Sequence, residues 1–189
     1  MPQWLNLDEV VFFHKHYSND ISELLNIEQQ TIGQNCSVWR NHRKIRLTAS
    51  DVKQIVSRKS DFPALASNIY LNKNNDLSAI RAVAYGIENE NYVRNWFAQK
   101  YSQYVVRKTG LVIHPIYQFI AASPDGLIKA GEDFMLLEIK SIFNPKNETL
   151  TELRKSRADF CLTDTDGGSE KENFVGTEFG FSCLLLVKG

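Results

Sequence analysis

Apolar positions recur along this chain at two different periods, and the point where the period changes divides it. In the first hundred residues the steps are of three and four. Ser22 to Gln30 carries that spacing at Ile21, Leu24, Leu25 and Glu28, enough for a short helix within residues 1 to 35, which otherwise read as helical or irregular preamble. Thr48 or Ser50 can cap a helix running to about Arg58, with Asp51 in its first turn, because a side-chain oxygen there accepts from the unpaired amides of that turn. Asp61 can cap a second helix to about Leu71, with Pro63 in its first turn, where no amide is needed. Asn72 to Asp76 is a polar loop. Leu77 to Tyr101 is the longest helical pattern, with Ile80, Val83, Ile87, Phe97 and Tyr101 on one stripe. The same stripe passes through Glu90 and Arg94, so two charges sit where the apolar face should continue. Gly86 is a weak point in this helix.

Beyond Tyr101 the residues turn β-branched and aromatic. Tyr104 to Ile113 and Tyr117 to Ala122 read as extended runs with Pro115 between them. Pro124-Asp125-Gly126 reads as a turn, and Asp133 to Ile142 as a third extended run stopped by Asn144-Pro145. One more helical pattern covers Glu148 to Phe160, and Thr163 to Asn173 is a polar loop. The expected fold class is α/β of the α+β kind: a helical N-terminal half, then a β-meander that opens a largely antiparallel sheet. No internal repeat is visible.

Composition narrows this. The 189 residues suit one domain with a real core, and a hydrophobic share of 43% argues against global disorder. Lys plus Arg and Asp plus Glu are each 22, so the chain does not read as one that coats nucleic acid nonspecifically. A local basic groove remains open, since Arg40, His42, Arg43, Lys44 and Arg46 cluster early, while Asp164, Asp166, Glu170 and Glu172 cluster late. Cys36, Cys161 and Cys183 are odd in number and widely spaced, which fits neither a disulfide framework nor a zinc site. No N-terminal apolar region precedes Asp8 and Glu9, and no stretch is long enough to span a bilayer. The expectation is a cytoplasmic or nuclear protein, neither secreted nor membrane-bound.

The candidate chemistry begins at Glu138-Ile139-Lys140. On a strand, residues two apart share a face, so Glu138 and Lys140 project together while Met135, Leu137 and Ile139 pack on the other side. Taken alone, a structural Glu–Lys pair is the better reading. Asp125, at a turn between two extended runs, changes that. A hairpin of this size can bring it beside Glu138 at neighbouring strand ends. Two converging carboxylates with a lysine suit a hard divalent cation such as Mg²⁺, and leave room for phosphate oxygens. Glu90 breaks the apolar stripe and can face the sheet, although an i, i+4 pair with Arg94 accounts for it equally well. Glu88 lies on a different helix face and ranks second.

These residues, in this order, resemble the PD-(D/E)xK nucleases. Ser123-Pro124-Asp125-Gly126 followed by Leu137-Glu138-Ile139-Lys140 is similar to their motif. More narrowly, the chain resembles the YqaJ-like viral recombinases, the lambda-exonuclease type. Arg46-Leu47-Thr48-Ala49-Ser50 is similar to that family's Arg-Ile-Thr-Ala-Ser segment. Gly86 to Glu90 is similar to its Gly-x-x-x-Glu helix, and Gly110-Leu111-Val112 to the Gly-Leu strand before the catalytic turn. The resemblance runs from about Trp39 to Phe160.

It implies a restriction-endonuclease-like core, a central mixed sheet flanked by helices, and three segments: a helical preamble over 1–38, the nuclease core over 39–162, and an atypical C-terminal segment over 163–189, read as a truncated copy or an incorrect gene model. It implies metal ligands at Glu90, Asp125, Glu138 and the Ile139 carbonyl, with Lys140 catalytic, served by Mg²⁺ or in its place Mn²⁺. It further implies a grip on the 5′-phosphate of DNA by Arg43 and Ser50, with Arg46 and Thr48 as neighbours. The activity implied is 5′-to-3′ exonucleolytic cleavage of duplex DNA in a recombination or viral setting, with a single-strand annealing protein and a trimeric ring as associated possibilities. The family's Tyr-x-x-Gln-x-Gln helix has no counterpart after Phe160. That departure leaves open an endonuclease or RNase on the same core, or a DNA-binding module that has lost catalysis.

Overall fold

The computed structural model describes residues 6–17, 20–73, 77–146, 148, 152, 155, 173–176 and 182–188, the last two stretches and Ile142 by backbone alone. The helices among them are α1 (Leu7–His16), α2 (Ile21–Gln30), α3 (Ser37–Lys44), α4 (Ala49–Ser57), α5 (Phe62–Asn72) and α6 (Arg81–Lys100). The strands are β1 (Val105–Arg107), β2 (Val112–Ile113), β3 (Ala121–Ala122), β4 (Gly126–Ala130), β5 (Asp133–Ile142), β6 (Asn173–Gly176) and β7 (Ser182–Lys188). The α+β class and the helical N-terminal half are as the sequence leads one to expect.

The chain divides into two compact units, one of Met1–Asn75 with Lys108–Pro124, the other of Asp76–Arg107 with Asp125–Gly189. The first is mostly helical. Leu24 and Ile27 of α2 bury against Trp39, Leu111, Ile113 and Ala121, so α2 packs on the short β2–β3 ladder. Each such side chain contributes on the order of 1.5–3 kcal/mol relative to exposure. A polar seam reinforces this packing. Glu28, 5% exposed, accepts the Gly110 amide at 3.0 Å, and Thr31 Oγ1 accepts the Leu111 amide at 2.7 Å while donating to the Ile27 carbonyl at 2.7 Å. Gly110 is required here, because a Cβ would overlap the Glu28 carbonyl oxygen and Thr31 Oγ1 and stand 2.8 Å from the Thr31 carbonyl carbon. Farther along, Thr109 Oγ1 donates to the Pro124 carbonyl at 2.7 Å, and the Trp39 indole N–H donates to Ser123 Oγ at 2.9 Å.

The second unit is a sheet of order β1-β4-β5-β7-β6 with α6 against β5. The described strands pair antiparallel throughout, and the single parallel pairing is an isolated bridge, Leu47 to Ile120, in the first unit. β5 is central, as its apolar run implies. Its partner on one side is the final apolar run of the chain, registered from Leu136 opposite Lys188 to Ile142 opposite Ser182. Phe97 of α6, Ile128 of β4, and Leu137 and Ile139 of β5 form the core, with Val93, Trp96, Tyr101 and Met135 packed on it.

The helical stripe of α6 is therefore buried only in its C-terminal half, and Ile80 and Ile87 are exposed. Thr48, rather than Ser50, caps α4, in a reciprocal box with Asp51. α3 falls on the basic run, where no helix was expected. The extended runs from Tyr104 and from Tyr117 are realised as short strands only. The helix expected over Glu148 to Phe160 lies for the most part outside the described residues, as does the loop expected from Thr163 up to Asn173. Among the described residues no helix is long and apolar enough to cross a membrane.

Candidate active site

β5 alternates as the sequence requires. Leu137 and Ile139 are buried, and Glu138 and Lys140 project from the opposite face, where Lys140 Nζ hydrogen-bonds Glu138 Oε1. Pairing between β4 and β5 ends at Gly126 opposite Leu137, so the edge of β5 beyond that point is not covered by β4. Asp125, one residue before β4, fills part of this gap. Its Oδ2 accepts the Ile139 amide at 2.6 Å. In an extended strand the N–H and C=O of one residue point to the same edge, so the Ile139 carbonyl faces the edge that Asp125 occupies. Gly126 makes the approach possible. A Cβ there would stand 3.2 Å from both the Arg107 carbonyl oxygen and Leu137 Cδ2.

Burial pushes the Asp125 carboxyl above its ordinary range. The Ile139 amide works against that shift, the charge of Glu138 adds to it, and Lys140 and Arg94 oppose it. Partial enclosure disfavours the charge on Lys140, but its hydrogen bond with Glu138 and the charges of Glu138, Asp125 and Glu90 outweigh this and hold the ammonium above its usual range. Glu90 thus acts on the same cation as Asp125 and Glu138. Arg94, one helical turn beyond Glu90, stood out in the sequence as a second charge on the apolar stripe and as a pairing partner for Glu90. The structure places Arg94 in the interior at 6% exposure. Its Nε donates to the Asp125 carbonyl at 2.7 Å and its Nη1 to Asn91 Oδ1 at 2.7 Å, while Nη2 is buried without a hydrogen-bond partner.

The donor set suits a hard divalent cation. Asp125 and Glu138 repel each other in a partly desolvated place, and their oxygens are the ligand type such ions take. As the side chains stand, among the described residues no three His, Cys, Asp or Glu groups converge into a metal cluster. The carboxylates are balanced instead by Lys140 and Arg94.

The basic segment lies in the first unit. Arg43 stacks its guanidinium 4.2 Å over the Trp39 ring and reaches Thr48 Oγ1 with Nη2 at 3.5 Å, and its Nε is buried without a partner. Thr48 Oγ1 lies 3.0 Å from Ser50 Oγ. Ser50 is exposed, at the start of α4. Arg46 is 2% exposed and committed to the interior: Nη1 donates to the His42 carbonyl at 2.9 Å and Nη2 to that of His16 at 3.4 Å, with the guanidinium over the Tyr17 ring. Asp51 Oδ2 accepts the Thr48 amide at 2.7 Å and pairs with Lys73 Nζ at 2.7 Å. Lys73 was missed in the sequence, where it falls within the polar stretch after α5.

The family model of the YqaJ-like viral recombinase domain matches residues 38–166. No match is found among curated proteins.

Proposed function

The chain belongs to the YqaJ-like viral recombinase family, within the PD-(D/E)xK nuclease superfamily, and we propose that it is a metal-dependent exonuclease degrading duplex DNA from its 5′ end. A nuclease role in recombination, with DNA as substrate and a divalent metal as the usual cofactor, goes with the family. The polarity, the exonucleolytic mode and Mg²⁺ are our reading. So are the core over 39–162 and a cytoplasmic or nuclear setting. The observation that carries it is the placement of Asp125 on the Ile139 amide, beside the Glu138–Lys140 pair on the central strand.

When bound, the metal would be held by Glu90, Asp125, Glu138 and the Ile139 carbonyl, and would supply Lewis-acid activation of water and stabilisation of charge on the scissile phosphate. The chain's own groups supply the rest. The Ile139 amide fixes one Asp125 oxygen, and Arg94 fixes the Asp125 backbone, so this carboxylate is pre-set rather than ordered on binding. Lys140, hydrogen-bonded to Glu138, would orient or help deprotonate a water and offset charge on the phosphate. Arg43, Ser50 and Thr48, with Arg46 bracing α3 from within, form the grip we assign to the 5′-phosphate. Guanidinium and hydroxyl donors at a helix start suit a dianion.

The test is hydrolysis of a 5′-phosphorylated duplex in Mg²⁺, labelled at either end. Release of nucleotides progressively from the 5′ end is expected, with Lys140→Ala slower by about a hundredfold while still binding DNA. Internal fragments would indicate an endonuclease instead. Binding without cleavage in the wild type would indicate a DNA-binding module. Equal turnover in wild type and Lys140→Ala would remove the assigned centre.

A further inference from the structure

The 5′-phosphate grip has a feature that an anion site should avoid. A carboxylate, Asp51, stands one hydroxyl away from it: Asp51 Oδ2 is 2.9 Å from Thr48 Oγ1, which is itself 3.0 Å from Ser50 Oγ and 3.5 Å from Arg43 Nη2. Asp51 cannot simply be dispensed with, since it closes the capping box that forms the start of α4. Left alone, its charge would cancel that of Arg43. It would also offer Arg43 a partner better than any transient ligand, because a close carboxylate competes with a phosphate for the same guanidinium.

We propose that Lys73 is a positioning residue of the 5′-phosphate grip, cancelling Asp51 so that Arg43 and Ser50 are left for the anion, with the Thr48 hydroxyl held between them and Asp51. The Lys73 side chain is 6% exposed, as is that of Asp51, and its ammonium lies 2.7 Å from Asp51 Oδ2 and also donates to the Arg46 carbonyl. It therefore fixes the α3–α4 connection at two points. A buried lysine is costly unless paired, and an alkyl side chain would fill the space more cheaply, so the pair is a poor device for stability alone. The charge count shows what it achieves. Arg43 and Lys73 against Asp51 leave one net positive charge, and without Lys73 there is none. The three groups act on one another accordingly: Asp51 favours the charged forms of both Arg43 and Lys73, and Arg43 disfavours that of Lys73.

This inference rests on reading the segment as a 5′-phosphate grip, and the experiment separates the two. Fluorescence anisotropy in EDTA, where catalysis plays no part, compares duplexes that differ only in a 5′-phosphate or 5′-hydroxyl end. The wild type should prefer the phosphate. Lys73→Met should lose that preference by about tenfold, since an uncompensated charge a few ångströms from a phosphate acts on that scale. Lys73→Met with Asp51→Asn, neutral at both positions, should recover most of it. A merely structural role would weaken binding of both ends alike and leave the ratio between them unchanged, with or without Asp51→Asn. An unchanged ratio in folded Lys73→Met, or a double variant no better than the single, overturns the proposal. If Lys73→Met does not fold, Asp51→Asn alone decides: the preference should hold or rise, and a fall overturns the proposal. A wild type indifferent to the phosphate removes the grip and this inference together. A preference abolished by Arg43→Ala but not by Lys73→Met removes only the inference.

Discussion

Replacing Arg94 with methionine tests how the centre is held. Arg94 is 6% exposed, so Met fills much of the same buried volume, and the change isolates the loss of donors and charge. Two 2.7 Å hydrogen bonds disappear, one to the Asp125 carbonyl and one to Asn91 Oδ1. A hydrogen bond from a charged group is worth about 1.5–3 kcal/mol net. Removing the cation also leaves Glu90 and Asp125 without a neighbour that now favours their charge. Breaking one partner from a buried charged contact costs about 3–5 kcal/mol. The terms overlap and are not added. A loss of about 3 kcal/mol is expected, which for a chain of this size lowers Tm by roughly 6–12 °C. Arg94→Lys keeps the charge but not the two-pronged geometry, and should fall between. Circular dichroism melts of metal-free protein read all three. A Met variant within about 0.5 kcal/mol of wild type would refute the reasoning, for that is the size of an ordinary surface change.

Gly110→Ala should be among the most damaging single changes, by about 3–5 kcal/mol, because the new Cβ meets backbone and breaks the amide contacts to Glu28 and Thr31; urea unfolding reads this, and a loss under 1 kcal/mol contradicts it. Gly86→Ala should do the opposite, since a Cβ there meets nothing within 4 Å inside a helix; a gain of about 0.5–1 kcal/mol is expected in the same assay, and any loss counts against it. Asp125→Asn should stabilise metal-free protein at neutral pH. The folded carboxyl is raised above its unfolded value, so the stability it contributes is complete below the unfolded value and is lost as pH rises through the folded one. The variant's advantage should therefore shrink as the solution is acidified toward pH ~4, and an advantage constant with pH would speak against the shift.

Much of this was legible in the sequence, and the reasons differ by element. β5 could be bounded from Asp133 to Ile142 because a run of apolar residues, alternation at Leu137 to Lys140 and an Asn-Pro stop agree over a ten-residue stretch. α4 and α5 could be started because Thr48 and Asp61 are capping residues followed by suitable first turns. α3 could not. Ser37 to Lys44 carries one buried apolar residue, Trp39, and the side chain stacked on it four positions later is Arg43, whose stem and planar head do the packing that a leucine would do elsewhere. Hydrophobic periodicity is blind to a face built that way. The short β2 and β3 were overestimated for the converse reason, since β-branched and aromatic residues such as Ile116, Tyr117 and Ile120 promise extended structure yet stay exposed outside the ladder.

The site itself divides along the same line. Glu138, Lys140, Asp125 and Glu90 could be named because carboxylates on an apolar strand, at a turn and on an apolar stripe are anomalies wherever they occur. Of the buried cations beside such carboxylates, Arg94 stood out on the stripe but without a role, and Lys73 did not stand out at all. Arg94 passed for half of a surface pair and Lys73 for loop solvation, and both are buried beside an aspartate far away in sequence. Desolvation argues that this is general. A carboxylate that must stay ionised in a partly dry place, whether to await a metal or to close a cap beside an anion site, needs a positive group within a few ångströms. Periodicity places the carboxylate and the cation on separate elements and says nothing of their meeting. In this chain the acids of the candidate site and Lys140 beside them are therefore the residues a sequence exposes, and the meeting of Arg94 and Lys73 with their aspartates is what only the fold reveals.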